Sequence, residues 1–252
     1  MNTKTHWEHI YETKAPTQVS WYQEHAEYSL QFIQNTGVQK LDHIIDIGGG
    51  ASTLVDDLLA NGFQHLSVLD VSGTALQLAR QRLGARADAV NWIEADITRA
   101  DLLQQAYDVW HDRAVFHFLT QAADRQRYID TVRQAVRKGG HVIVATFAPD
   151  GPNHCSGLEV VRYSPESLHA EFGAALKSWI APMKRIILRL EKSKSSFTVT
   201  AARIEHNDKF FIGAKEATRC FKTYSDKRFY QFLELVLIQM MTMTSVCKNH
   251  CW

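Results

Sequence analysis

The stretch Ile44-Ile45-Asp46-Ile47-Gly48-Gly49-Gly50-Ala51-Ser52 decides the fold. Four residues, three of them isoleucine, read as a short buried strand, and three glycines in a row then turn the chain sharply. Thr53, Leu54, Val55, Leu58 and Leu59 follow at helical spacing, so residues 52–60 are predicted as a helix with Ser52 as its N-cap and Asn61-Gly62 as its stop. Strand, glycine turn and helix in that order form a ligand-binding turn. Glycine lets the backbone adopt positive φ and approach a ligand closely. The helix start offers free N–H groups to a carboxylate or phosphate. A strand-to-helix turn that binds nothing has the same pattern, and nicotinamide and flavin enzymes share it.

Working outward, the alternation continues. Residues 66–69 form a second strand that ends on Asp70, and 72–83 a helix capped by Ser72. Residues 90–93 form a third strand, followed by Glu94-Ala95-Asp96-Ile97. Tyr107 to Trp110 and Val115 to Phe118 bracket a fourth strand and its exit loop. Residues 125–137 are a helix, Lys138-Gly139-Gly140 a turn, and 141–147 a fifth strand. Upstream, 26–35 suits a helix ended by Gly37. The expected fold class is therefore α/β: a Rossmann-like, doubly wound, mostly parallel sheet with helices on both faces. Ligands of such sheets bind beyond the carboxyl ends of the strands. Gly48, Gly50, Asp70, Asp96 and the run His111-Asp112-Arg113 all fall there.

Bulk composition narrows the partners. The 252 residues carry 28 Lys and Arg against 27 Asp and Glu, so no net field favours nucleic acid or membrane as a partner. The apolar run at 232–243 is broken by Glu234 and Gln239 and is too short to span a bilayer. No secretory leader is read at the N-terminus, and a cytoplasmic, reduced setting is expected. Cys155, Cys220, Cys247 and Cys251 include no CxxC pair, so no metal site is expected, and the tail Cys247 to Cys251 reads as free thiols. No feature encodes an oligomeric state.

Asp70 lies 22 residues after Gly48, where a carboxylate can accept hydrogen bonds from both ribose hydroxyls, with Val71 beside it. That points to an adenosine-containing ligand, a dinucleotide included. Asp96 follows the third strand and can take an adenine amino group, with Ile97 packing on the ring. Taken singly, each Asp is an ordinary cap or loop residue. As an ordered set they resemble the class I S-adenosylmethionine (SAM)-dependent methyltransferases: Asp46-Ile47-Gly48-Gly49-Gly50 matches the first motif, Leu69-Asp70 the second and Ala95-Asp96-Ile97 the third. The resemblance covers 41–147 and implies SAM as cofactor.

The loop Trp110-His111-Asp112-Arg113-Ala114-Val115-Phe116-His117-Phe118-Leu119-Thr120 resembles the thiopurine methyltransferases. It also resembles the Asp-Lys-Gly loop of lysine methyltransferases that act on elongation factor 1-alpha. Together with Val19-Ser20-Trp21-Tyr22-Gln23 and Ala145-Thr146-Phe147-Ala148-Pro149-Asp150-Gly151-Pro152, it looks most like the citrate synthase lysine methyltransferase group and its bacterial relatives. The resemblance implies that residues 1–40 cover the cofactor, with Trp21 over it; an apolar anchor for an N-terminal helix is the equal alternative. It implies a methyltransferase domain over 41–176, with a protein lysine or a small molecule as methyl acceptor. A non-catalytic SAM-binding protein is the reading from another class.

Methyl transfer to a lysine needs a neutral amine, so His111 and Asp112 are the candidate catalytic pair: His111 titrates near neutral pH and Asp112 can orient an amine. Arg113 reads as a structural ion pair with Asp112 or another carboxylate. His117 reads as a core histidine, and Cys155 as a loop thiol near the substrate mouth.

The likeness fades after Leu176. A capped helix leads from Tyr163 to Phe172, and 185–190 with 197–202 can form a closing hairpin. The family's acidic segment and aromatic last strand are absent. Region 177–252 is either a divergent native extension or a frameshifted ending. Read two nucleotides out of phase with suitable codons, 194–202 yields alternating aromatics like the missing strand. In that case the sheet lacks its proper edge.

Overall fold

The structure, a computed structural model, describes residues 3–176, 186–192 and 195–203. They lie in a unit that spans 1–209, while 210–252, with Cys220, Cys247 and Cys251, lie outside the described residues. The chain order is α1 (Thr3–Thr13), α2 (Glu27–Asn35), β1 (His43–Ile47), α3 (Leu54–Ala60), β2 (His65–Asp70), α4 (Gly73–Leu83), β3 (Val90–Glu94), β4 (Tyr107–Arg113), α5 (Ala122–Ala135), β5 (Val136–Phe147), the small hairpin β6 (His154–Cys155) and β7 (Leu158–Glu159), α6 (Pro165–Leu176), β8 (Ile186–Lys192) and β9 (Ser195–Arg203).

Seven strands share one sheet in the order β3-β2-β1-β4-β5-β9-β8. The five strands β1 to β5 are parallel, and β9 runs antiparallel to β5 and to β8. The order reverses between β1 and β4, so the switch-point crevice opens above β1. The predicted closing hairpin exists. It pairs Phe147 with Phe197 at one end and His141 with Arg203 at the other, so β5 is not left as an edge. The absent edge anticipated for a frameshifted ending is therefore not what this chain adopts.

Period-two alternation along β1 splits the core. Ile45 and Ile47 join the apolar cluster shared with Trp110, Phe116, Tyr128 and Phe172, beneath α5 and α6. Ile44 joins the opposite cluster with Ile33, Leu54, Leu58, Val68, Leu76 and Val109, beneath α2, α3 and α4. Both clusters are fully desolvated around large side chains; Trp110 and Tyr128 are each 0% exposed. Among the described residues no helix is long and apolar enough to cross a membrane.

Two local departures have plain causes. The turn predicted at Lys138-Gly139-Gly140 is absorbed into β5, with Gly139 at φ +82° and a register shift opposite Tyr107 to Val109. Helix α1 was not foreseen, because its polar and aromatic residues carry no strong apolar stripe.

Candidate functional site

The glycine turn joins β1 to α3. Amides of Gly48 and Gly49 donate to the Leu69 carbonyl at 2.7 and 3.2 Å, which anchors the turn to the end of β2. From α4, Arg82 donates to the carbonyls of Ala51 (2.8 Å) and Ser52 (2.6 Å), and its remaining donors grip Asp56. Ser52 Oγ accepts from Leu54 N at 3.2 Å, so the helix starts two residues beyond its predicted cap. Gly48 has φ +65°, and a Cβ there would sit 2.1 Å from Val115 in the loop after β4. Gly50 has φ +37°, and a Cβ there would sit 2.6 Å from Asp70 Oδ2. The first and second sequence motifs are thus in van der Waals contact, and only glycine leaves room for the carboxylate.

Asp70 is buried. Its Oδ1 accepts from Ser72 N at 2.8 Å, and Val71 N supplies a further backbone hydrogen bond. Burial, with the Asp46 and Glu8 carboxylates nearby, outweighs those bonds and pushes the Asp70 carboxyl up to about 7. Such a group is primed for a donor-rich ligand. Asp96, exposed after β3, spends Oδ1 on Thr98 N (2.9 Å) and Thr98 Oγ1 (2.8 Å). Ile97 beside it is 5% exposed and belongs to the core cluster under α5.

Alternation along β4 separates residues that are adjacent in sequence. His111 pairs in register with Asp46, on the α2–α3 face; its Nδ1 donates to Asp46 Oδ1 at 2.7 Å, both groups buried. Asp112 points to the other face. Its oxygens accept from Val115 N (2.8 Å), Phe116 N (3.1 Å) and the Tyr128 hydroxyl (2.6 Å), which itself accepts from Trp110 Nε1 at 2.9 Å. Burial pushes the Asp112 carboxyl up to about 6, against these donors. His111 and Asp112 therefore present their side chains to opposite faces of the sheet, because neighbours in a strand face opposite ways. The ion pair expected between Arg113 and Asp112 is excluded on the same ground. Arg113 instead donates to Gln23 Oε1 at 2.5 Å. The turn after β4 is tight: Ala114 adopts φ +81°, costly for a residue with a Cβ.

The N-terminal segment closes the crevice. On α1, Glu8 accepts from Ser72 Oγ (3.0 Å), Gly73 N (2.8 Å) and Thr74 N (3.1 Å) at the start of α4. Burial raises the Glu8 carboxyl, but the hydrogen bonds from Thr74, Gly73 and Ser72 prevail and hold it below its usual value. Lys4 pairs with Glu94 at the end of β3. Trp7 lies against Trp21 (5.8 Å between rings) and Phe118 (5.2 Å). Downstream, Thr53 Oγ1 donates to the Gln23 carbonyl at 2.9 Å, and Asp57 holds His25 and Ala26 N, each at 2.8 Å. A cavity remains above the glycine turn, with about 270 Å³ of non-atom space including open solvent. Tyr11, Trp21, Gln23, Ser52, Thr53 and Arg113 line it. Burial, and the nearby Asp70, push the Tyr11 hydroxyl upward.

Trp21 and Gln23 line one cavity with Ala51, Ser52 and Thr53, the residues just after the glycine turn, whereas Asp46, Gly48, Gly50, Asp70, Val71, Asp96 and Ile97 do not line it. His111 and Asp112 are not among the cavity's lining residues. Glu8, Tyr11, Arg82 and Gln23 escaped sequence reading; Arg113 was read, but in another role. Cys155 sits half-buried in the β6–β7 hairpin, its thiol pushed up by burial. His117 is fully buried, stacks on Phe147 at 4.7 Å, and has no hydrogen-bond partner among the described residues on either ring nitrogen.

Comparison with known proteins agrees with this geometry. A family model described as a methyltransferase domain matches residues 45–142. The "eEF1A lysine and N-terminal methyltransferase" of Mus musculus is 22% identical over 149 residues, covering 57% of this chain and 21% of that protein. Its Danio rerio counterpart is 21% identical over 148 residues. The chain thus spans about a fifth of the length of these curated relatives, 21% of each. In fold, it is similar to the N-methyltransferase NodS from Bradyrhizobium japonicum, solved with S-adenosylhomocysteine (TM-score 0.62, 18% identity, 82% of this chain and 100% of that one). It is also similar to 1,6-didemethyltoxoflavin-N1-methyltransferase from Burkholderia thailandensis (TM-score 0.59, 16% identity, 81% of this chain and 87% of that one). Strand order, the glycine turn and these matches together identify a methyltransferase domain over residues 45–142, carried on the class I SAM-dependent methyltransferase fold.

Proposed function

We propose that the protein is a SAM-dependent methyltransferase whose acceptor is a nitrogen nucleophile, a protein lysine before a small molecule. The observation that carries the cofactor reading is the contact between Gly50 and the Asp70 carboxylate at the switch point of the sheet. The residues present fit SAM. Gly48 and Gly50 let the turn pack directly on Val115 and on the Asp70 carboxylate, where any Cβ would collide. Asp70 accepts from ribose hydroxyls, with Val71 flanking the base and Asp96 and Ile97 at its far edge. Trp21 covers the site. When bound, SAM supplies an electrophilic methyl on a sulfonium.

The chain's own residues align and exclude water. His111 is assigned a positioning role, fixing the buried Asp46 carboxylate that faces the ligand's ammonium group through the glycine turn. Asp112 is also a positioning residue: it ties the 112–116 turn to α5 and so sets the wall of the methyl site. The lysine preference rests on the curated relatives and on the sequence resemblance; neighbours in fold with small acceptors support the alternative.

Transfer of radiolabelled methyl from SAM to a bacterial proteome, against a deproteinised metabolite pool, is the test. Label recovered as methyl-lysine supports the first reading. Label confined to small molecules replaces it with the second. Cofactor binding without transfer to either pool sinks the enzymatic reading.

A further inference from the structure

His117 is an anomaly beyond the carboxyl end of β4. It is 0% exposed, and among the described residues neither ring nitrogen has a hydrogen-bond partner. Burial holds the imidazole neutral, its titration pushed down to about 3. A neutral imidazole carries one N–H donor and one acceptor nitrogen, so both are left unsatisfied. The ring stacks on Phe147 at 4.7 Å, and Phe118 meets it at 4.4 Å and 66°. A phenylalanine would fill that aromatic slot with no polar group stranded, so packing supplies no reason for the two nitrogens.

The loop that carries His117 is held from several sides. Asp112 accepts from Val115 N and Phe116 N, and Arg125 donates to the carbonyls of Leu119 and Thr120. Val161 N donates to the His117 carbonyl at 2.8 Å. Val115, two residues earlier, is the side chain that a Cβ on Gly48 would strike. The unpaired imidazole therefore belongs to a fixed loop packed on the glycine turn, past the strand ends where ligands of such sheets bind. Its cover is thin. Phe118 is only half-buried, and Trp7 of α1 rests on it at 5.2 Å. Side-chain rotations at a binding surface commonly accompany binding.

We propose that His117 is a binding residue for the methyl acceptor: a ring nitrogen accepts a hydrogen bond from an N–H of an uncharged nitrogen nucleophile once Phe118 turns aside. The inference rests on the methyltransferase reading above and deepens it by naming a residue that orients the acceptor. A bond to the N–H hydrogen leaves the nitrogen lone pair free to face the methyl group. That lone pair forms the new N–C bond, the S–C bonding pair returns to sulfur, and the proton on the product nitrogen leaves to water. An ammonium has no lone pair to give, so the acceptor must arrive neutral.

Two measurements on the same variants test it. The first is transfer of radiolabelled methyl from SAM to the bacterial proteome, or to the deproteinised metabolite pool if that is where label goes, as a function of pool concentration. The second is calorimetric affinity for S-adenosylhomocysteine. His117→Phe keeps the aromatic stack. At subsaturating pool its transfer should fall about tenfold, as for a lost hydrogen bond, with S-adenosylhomocysteine affinity unchanged. His117→Gln, a neutral side chain with a donor and an acceptor, should recover part of the loss. Unchanged transfer in His117→Phe would leave His117 as a core residue and overturn the proposal. So would an equal fall in S-adenosylhomocysteine affinity, or a loss as deep in His117→Gln as in His117→Phe. Wild-type protein that binds S-adenosylhomocysteine and labels neither pool overturns the enzymatic reading itself, a result distinct from variants that fail to differ.

Discussion

The reading of Asp70 as the ribose acceptor predicts that binding of an adenosine ligand weakens steeply below neutral pH, because burial pushes that carboxyl up to about 7. Burial is the main cause of that value, with the Asp46 and Glu8 carboxylates adding to it and the Ser72 and Val71 amides opposing. Tyr11 also faces the group and is neutral throughout the range. Two ribose hydroxyls donate best to the ionised form, so the bound carboxyl titrates lower. Each pH unit below 7 then costs about 1.4 kcal/mol, tenfold in Kd. The ratio of Kd at pH 6 to that at pH 8 should be about ten, and at pH 5.5 about thirty. Stability of the free protein should show the reverse trend. A carboxyl raised from 3.8 to about 7 favours the folded state below pH 4 and loses that contribution as pH rises through 7, on the order of 4 kcal/mol in all. Calorimetry with 5′-methylthioadenosine is suitable, since that ligand has no group titrating in this window. Asp70→Asn should bind weakly and with a flat profile. A flat wild-type profile, or an identical slope in the variant, would remove Asp70 from the ribose site.

Three further outcomes follow from contacts described above. Gly50→Ala should displace the Asp70 carboxylate it would touch at 2.6 Å; ligand affinity should drop tenfold or more, read by calorimetry, while Gly62→Ala, in open space, leaves it unchanged. Tyr128→Phe removes a donor from Asp112 and an acceptor from Trp110 in a dry core, and should cost about 1–3 kcal/mol in denaturant melts; a loss below 0.5 kcal/mol would contradict the network, on the order expected for buried unpaired groups. His117 is held down to about 3 by burial, so the folded state refuses a proton that the unfolded chain binds below 6.5. Stability contributed by its neutral form is present above 6.5 and is lost as pH falls toward 3; His117→Phe should therefore gain about 1.4 kcal/mol per pH unit relative to wild type across that window, and no relative gain would place a hidden partner on the ring.

Most of the parallel sheet was legible because its signals are local. Strand β1, the Ser72 cap of α4 and the apolar run of β3 each declare themselves within ten residues. The closing hairpin was legible from β-branched residues flanking a Lys-Ser turn, although the family pattern had stopped. The site was legible only where motifs name it. Gly48, Gly50 and Asp70 meet as their spacing implied, yet the division of His111 and Arg113 from Asp112 was missed. That division was available: period-two alternation dictates it once β4 is extended to Arg113. Glu8 was not available, because its partners Ser72, Gly73 and Thr74 lie far along the chain and no periodic pattern marks it. The frameshift reading of the chain beyond Lys177 remains a question for the gene: resequencing that reveals no family-like ending in the shifted frame disposes of it.

Helix α1 has a kinetic meaning beyond its role as a wall. Glu8 clasps α4, Lys4 reaches the end of β3, and Trp7 rests on the loop after β4, so eleven residues bridge three strand ends at once. The three attachments hold one helix, so a displacement that breaks one of them strains the other two. On the cofactor reading proposed above, exchange of the ligand should then be quickened by salt, which weakens the charged contacts of Lys4 and Glu8.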